Sequence, residues 1–367
     1  MSLKIAQVAP LWLAIPPRKS YGGIEVLLQS LCDELVRRGH DVTLFASGEA
    51  RTRARLVPVI EKNLSDLMTE GRAQCYEYYC NSMFADIAAI KHRFDLIHFH
   101  CPTAWLPTAA MLDVRALFTV HTAVHQDDEW VLRRWPEVWV NGISQFQIKA
   151  LAFNLGREFP VVYNGCDFTV YEPRYEPGRY LAFLGRFSRE KNPLGAIQIA
   201  RECRMPIVLA GQPQNKGEEA YFDCEIRPLI DGEGVRWIGA VDHAQKVTLL
   251  REASALVFPI QWDEPFGLVM IEAMACGTPV VALRRGAVVE IVDQGITGFH
   301  ATSLRALSTL IPLAISLDRQ QVRRQAVSRF CHRSMVTSYE ALYRKIVAST
   351  SSPTLFATTE VSHQKTN

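Results

Sequence analysis

The sequence holds no Cys-x-x-Cys, and its nine cysteines stand singly, with Cys75 and Cys80 the closest pair. Lacking the spacing of a zinc site or a disulfide framework, the pattern predicts free thiols in a reducing cytoplasm and no structural zinc. No run approaches the roughly 18 apolar residues that span a bilayer, so a soluble chain with at most peripheral membrane contact is expected. Charge of one sign is also missing: 40 basic against 38 acidic residues leave a net charge of +2. That balance points to no polyanionic partner such as nucleic acid. Residues 1–17 carry one lysine and are broken by Pro10, Pro16 and Pro17 without a small-residue cleavage site, so they read as a first strand rather than a leader.

What is present is alternation. The 367 residues, 48% of them hydrophobic, suffice for two or three globular cores. Lys4 to Val8 reads as a strand. Ile24, Leu27, Leu28, Leu31 and Leu35 recur at helical spacing up to Arg38, and Gly39 is placed to end that helix. A strand at Val42 to Phe45 follows, and Leu96 to Phe99, Leu117 to Val120 and Val161 to Tyr163 are short apolar runs suited to buried parallel strands. The pattern pauses over Tyr171 to Tyr180, where Pro173, Pro177 and Gly178 predict an interdomain linker. It restarts with strands at Tyr180 to Leu184, Ile207 to Leu209, Val235 to Ile238, Leu256 to Pro259 and Val280 to Leu283. Two α/β domains of doubly wound, Rossmann-like character are predicted, over 1–170 and 171–330. Helical periodicity continues in 331–348, and the polar, aperiodic stretch 349–367 predicts a disordered tail.

Three local motifs carry chemistry. Gly22 and Gly23, between the first strand and first helix in Tyr21-Gly22-Gly23-Ile24-Glu25, let backbone amides approach a phosphate or a sugar ring, although a Gly-Gly pair alone also fits a simple turn. Gly185-Arg186-Phe187-Ser188-Arg189-Glu190-Lys191 follows a strand of the second half. Ligands of open α/β sheets bind beyond the carboxyl ends of strands, so Arg186 and Lys191 stand where a diphosphate is clamped; solvated loop cations are the alternative. Fixed cations there stabilise the charge that grows on a departing phosphate. The third motif runs from Asp263 to Pro279. Proline and glycine place a helix start near Pro265 to Gly267 and a stop at Gly277, which leaves Glu264 in the loop and Glu272 on the helix. Amides around Phe266, Gly267 and Leu268 can attract phosphate, Glu264 can accept from sugar hydroxyls, and Glu272 is either a ribose acceptor or a helix-surface acid.

In this order the motifs resemble the family 4 retaining glycosyltransferases, over about residues 3 to 347. The resemblance implies a glycosyltransferase B fold, two Rossmann-like domains facing across a cleft, the first binding the acceptor and the second the nucleotide sugar. It further implies that helix 331–348 crosses back onto the first domain, that Arg186 and Lys191 hold the donor diphosphate, that Glu264 contacts the transferred sugar and Glu272 the ribose, and that Gly22-Gly23 meets the donor from across the cleft. No metal is expected, and no Asp-x-Asp is found. His121, in Thr119-Val120-His121-Thr122, would reach the donor sugar. One departure is Arg285-Gly286-Ala287-Val288-Val289-Glu290, where relatives place two glycines and a proline before the glutamate. His98 and His100 share a strand face but lack a third metal ligand, so His100 is an acceptor-side candidate.

The expected reaction is transfer of a hexose with retention, the leaving phosphate oxygen taking the acceptor proton on the same face. UDP-glucose is the first donor expected and GDP-mannose the second; the hydroxyl acceptor is open, as is the choice between monomer and homodimer. A nucleotide-sugar epimerase of this fold and a non-catalytic sugar-nucleotide-binding protein are the alternatives. Arg37-Arg38 with Arg51, Arg53 and Arg55 raise peripheral membrane contact, against a solvated loop.

Overall fold

The computed structural model describes residues 2–17 and 22–349. Tyr21 and residues 350–367 of the expected tail lie outside the described residues. Twelve strands form: β1 (Lys4–Val8), β2 (Asp41–Ser47), β3 (Arg55–Ile60), β4 (Leu96–Phe99), β5 (Ala116–Thr119), β6 (Trp139–Asn141), β7 (Tyr180–Leu184), β8 (Ile207–Ala210), β9 (Val235–Trp237), β10 (Ala253–Phe258), β11 (Val280–Leu283) and β12 (Gly298–Ala301). They make two parallel sheets, ordered β3-β2-β1-β4-β5-β6 and β12-β11-β10-β7-β8-β9. Counted from its own first strand, each sheet has the same doubly wound order, with its topological switch point at β1/β4 or β7/β10. Chain leaving those four strands is therefore the chain that meets a ligand.

Central strands such as β4, β5, β8 and β11 are buried along their whole length, as helices on both faces of a parallel sheet require. The edges differ. β3 is partly exposed and carries Pro58, which an edge strand tolerates because one row of its amides has no partner strand. Val161 to Tyr163, expected as a strand, is not one: Val161 makes a single bridge to Gly142. Pro160 before it and Asn164-Gly165 after it leave too short a run to pair. The first helix, Gly23–Arg37, ends where expected. Gly39, at φ +87°, donates to the Val36 carbonyl while His40 donates to that of Leu35, the paired closure that a left-handed residue makes possible.

The linker 171–179 is laid against the second domain. Arg179 donates its backbone N–H to Glu252, Arg174 donates its own to Cys276, and a Cβ on Gly178 would fall 2.1 Å from the Ala253 carbonyl carbon. The chain crosses between domains a second time at Phe330 to His332. There Cys166 donates to the Phe330 carbonyl at 3.0 Å and His332 to the Cys166 carbonyl at 2.9 Å. Gly165 is required at this crossing, since a Cβ would lie 2.8 Å from His332 Cα.

The returning helix, His332–Ala348, buries Met335, Val336, Tyr339, Leu342, Tyr343 and Ile346 in one core with Leu27, Leu28, Leu31 and Leu35 of the first helix. Each such side chain contributes about 1.5–3 kcal/mol by leaving water. The C-terminal helix is thereby part of the first domain's core. Of the arginines weighed as a membrane patch, three are held by acids of the first domain. Arg37 and Arg38 both turn onto Glu34, and Arg55 pairs with Asp41 at 3.2 Å. Among the described residues no helix is long and apolar enough to cross a membrane.

Candidate active site between the domains

A cavity of about 860 Å³ opens between the two sheets, and its wall includes Gly22, Gly185, Arg186, Lys191, Glu264, Gly267 and Leu268. Gly185 and Arg186 directly follow β7, and Glu264 lies on the loop leaving β10, so the switch point of the second sheet supplies both. Opposite them, Gly22 precedes the first helix of the first domain. Gly23 comes closer still, since a Cβ there would sit 2.7 Å from Leu268 Cδ1. A side chain at 23 would therefore have to displace the end of Leu268 across the gap.

Lys191 reaches Glu264 with Nζ 2.6 Å from Oε2, and the same oxygen accepts from Trp262 Nε1 at 3.0 Å. Lys191 also stands 4.9 Å from the centre of the Trp262 ring. Arg186 lies between two acids, 3.1 Å from Glu190 and 3.2 Å from Glu218. Gly267, at φ +84°, caps helix Leu268–Ala275, and the helix start at Gly267 and Leu268 lines the cavity. The unexpected loop at Arg285-Gly286 closes on this site from behind. Gly286 has φ +57°, and a Cβ would meet the backbone of Glu264 at 2.3 Å, while Ala287 donates to the Glu264 carbonyl at 2.8 Å.

Two expected donor contacts are placed otherwise. Phe266 is 2% exposed and packs between Tyr163 and Phe330, so it anchors the loop and does not line the cavity. Glu272 is buried behind the wall. Its Oε1 accepts from Lys246 Nζ at 2.5 Å and from Tyr171 Oη at 2.8 Å, whereas Oε2 is buried without a hydrogen-bond partner. Lys246 and Tyr171 are the residues of that group that line the cavity, with His243 beside them. Sequence reasoning missed Lys246 because a lone lysine on helix His243–Glu252 has no motif around it. Glu25 follows Gly22 and Gly23 in the first turn of the first helix. It is 4% exposed, and burial pushes its carboxyl up to about 7, its own backbone N–H opposing.

His121 and His100 do not line this cavity. They lie in a separate recess of about 330 Å³ in the first domain, with Trp12, Tyr76 and Thr122. The recess sits at the first sheet's switch point, where chain leaves β1, β4 and β5. Burial pushes His121 down to about 3. Gly22 on the cavity and Ile24 on the recess place the first helix's amino end between the two spaces. His98 and His100 have their ring nitrogens occupied by protein partners, and among the described residues no group of three or more His, Cys, Asp or Glu could hold a metal ion.

Two doubly wound sheets facing across a cleft, with cations at one switch point, are the architecture of the glycosyltransferase B fold. Residues 21–170 match the family described as Glycosyltransferase Family 4, and residues 170–326 match Glycosyl transferases group 1. The D-inositol 3-phosphate glycosyltransferase of Mycobacterium bovis is 36% identical over 337 residues, 78% of this chain and 69% of that one. The phosphatidyl-myo-inositol mannosyltransferase of Propionibacterium freudenreichii is 27% identical over 338 residues, 81% of each chain. Among solved structures, Anabaena HepE in complex with UDP and glucose superposes with a TM-score of 0.71 at 18% identity, covering 94% of this chain and 100% of that one. The chain belongs to the family 4 glycosyltransferases and is an enzyme of glycosyl transfer.

Proposed function

We propose that the enzyme transfers a hexose from a nucleoside diphosphate sugar to a hydroxyl acceptor, with retention at the anomeric carbon and without a metal ion. The observation that carries this reading is one cavity wall holding Arg186, Lys191 and the Gly267–Leu268 helix start, with Gly22 facing them. Cations and a helix start on the wall of one cavity suit a diphosphate. When the bond from sugar to β-phosphate oxygen breaks, charge grows on that phosphate, and fixed donors stabilise the growing charge more than the bound substrate. Glu264 holds a sugar hydroxyl. Glu272 acts on the ribose from behind the wall, holding Lys246 and Tyr171, the cavity-lining side chains that meet the ribose hydroxyls.

The leaving phosphate oxygen removes the acceptor proton on the face it departs from, so the enzyme supplies no nucleophile. His121 offers its ring to a sugar hydroxyl from the recess. UDP-glucose is the first donor proposed, supported by the UDP and glucose complex of the Anabaena relative, and GDP-mannose the second. Closure of the cleft excludes water during transfer. The test is a panel of nucleotide sugars with EDTA present, read by thermal shift and by release of nucleoside diphosphate. Turnover of one donor in EDTA supports the proposal, and so does a product that keeps the donor's anomeric configuration. An inverted product, dependence on added metal, or epimerisation of donor without acceptor contradicts it.

A further inference from the structure

Behind His121, buried polar side chains run from the recess to the C-terminal helix. His121 Nε2 lies 2.8 Å from His100 Nδ1, and His100 Nε2 lies 2.8 Å from Gln7 Oε1. Gln7 Nε2 donates to Tyr343 Oη at 3.0 Å, Tyr343 Oη is 2.7 Å from His98 Nδ1, and His98 Nε2 is 2.7 Å from Thr119 Oγ1. Thr119 donates to Asn141 Oδ1 at 2.7 Å, and Asn141 Nδ2 donates to the Gly142 carbonyl at 3.0 Å.

The far end fixes the direction. A carbonyl oxygen only accepts, so Asn141 must turn its amide nitrogen to Gly142 and its oxygen to Thr119. Thr119 spends its single proton on that oxygen and can only accept from His98. His98 and His100 are buried and His121 is half-buried, and among the described residues none of the three touches a carboxylate, so each carries one ring proton. His98 then has its proton on Nε2 and accepts from Tyr343 on Nδ1. Tyr343, its proton committed, accepts from the Gln7 amide, which leaves Gln7 Oε1 facing His100. His100 donates from Nε2 and accepts on Nδ1.

We infer that this one-way chain sets the tautomer of His121: the ring carries its proton on Nε2 and offers a bare Nδ1 lone pair, with Gln7 and Tyr343 as positioning residues. Resting on the reading that His121 meets substrate, this assigns a specificity. The group accepted at Nδ1 is a hydroxyl that donates; a carbonyl, ether or phosphate oxygen presented there would meet a second lone pair and be rejected. It also gives the C-terminal helix a function beyond packing, since Tyr343 sits on it and Tyr339, 3.1 Å from Thr119, braces the same chain.

The experiment is long-range proton–nitrogen NMR on the full-length protein labelled with ¹⁵N-histidine, without substrate, the His121 signals being assigned by their loss in His121→Asn. Expected is a pyrrole-like Nε2 and a pyridine-like Nδ1 for His121 at neutral pH, and averaging of the two in Tyr343→Phe, where the link to Gly142 is cut. A pyrrole-like Nδ1, a doubly protonated ring, or unchanged His121 signals in a folded Tyr343→Phe overturns the inference. Should that variant not fold, the native spectrum decides alone. Because the readout needs no turnover, loss of the transferase reading and loss of the tautomer assignment are separate results.

Discussion

Lys191 and Glu264 stand 73 positions apart, yet Nζ and Oε2 are 2.6 Å from each other on the cavity wall. A carboxylate so placed neutralises part of the charge that a diphosphate would use. Glu264→Gln should therefore raise the affinity for nucleoside diphosphate by roughly 3- to 10-fold, the scale of an ion pair worth about 1 kcal/mol at partial exposure. The same change should lower sugar transfer, since the hydroxyl contact weakens. Calorimetric titration with UDP and GDP, beside initial rates, checks both signs; weaker diphosphate binding would contradict the pairing.

Glu290, on the second domain, reaches across to the first. Its carboxylate accepts from the backbone N–H groups of Gln145 and Phe146 at 2.9 and 2.6 Å and from Tyr163 Oη at 2.8 Å. Those amides open helix Gln145–Leu155, where an anion is favoured. Glu290→Ala is expected to cost about 1.5–3 kcal/mol and to speed amide hydrogen exchange at 145 and 146. Unchanged exchange there would remove Glu290 as an interdomain clasp.

Arg319 is a buried cation held by oxygens rather than by an acid. It donates to the carbonyls of Arg174, Ala253 and Arg251 at 2.8, 2.7 and 3.0 Å and to Thr278 Oγ1 at 2.6 Å. The linker is fastened to the second domain through it. Arg319→Met leaves those carbonyls without this donor and should lower stability by roughly 2–4 kcal/mol, each loss being about 1–3 and not additive. Arg319→Lys, without the planar fork, recovers part. Urea denaturation measures both, and a loss below about 0.5 kcal/mol for the methionine variant would refute the role.

The histidine cluster and Glu25 pull stability in opposite directions with pH. His121 is pushed from 6.5 down to about 3, and burial lowers His98 and His100 as well. The unfolded chain takes those protons first, so the stability they contribute is present above 6.5 and is lost as pH falls. Glu25 is raised from 4.5 to about 7; its contribution is complete below 4.5 and is lost as pH rises through 7. Glu25→Gln should therefore melt higher than the native protein near pH 8, by up to about 3 kcal/mol of stability, with the gap closing by about pH 5. A constant offset across that range would show that the carboxyl is not the cause.

Sequence pattern reached most of the central strands because burial on both faces leaves an uninterrupted apolar run, as in Tyr180–Leu184 and Val280–Leu283. It failed at β3, β6 and β12, which are short or at an edge, where pairing rather than hydrophobicity makes the strand. The cations and Glu264 were legible because they sit in glycine- and proline-punctuated loops at strand ends. Lys246, Gln7 and Tyr343 were not. Each lies inside a regular element, and only the tertiary fold shows that their polar ends meet other buried polar groups.

Arg186, Lys191 and the Gly267–Leu268 helix start are proposed to receive the departing diphosphate without a metal ion. The direct measurement is donor turnover with acceptor in EDTA for the native enzyme, Arg186→Ala and Lys191→Ala, each checked for a native melting profile. Full native turnover in EDTA is expected, with a loss of roughly 10²–10³-fold in each variant, the scale of removing one transition-state donor. Near-native rates in both variants, or a native enzyme silenced by EDTA, would contradict it.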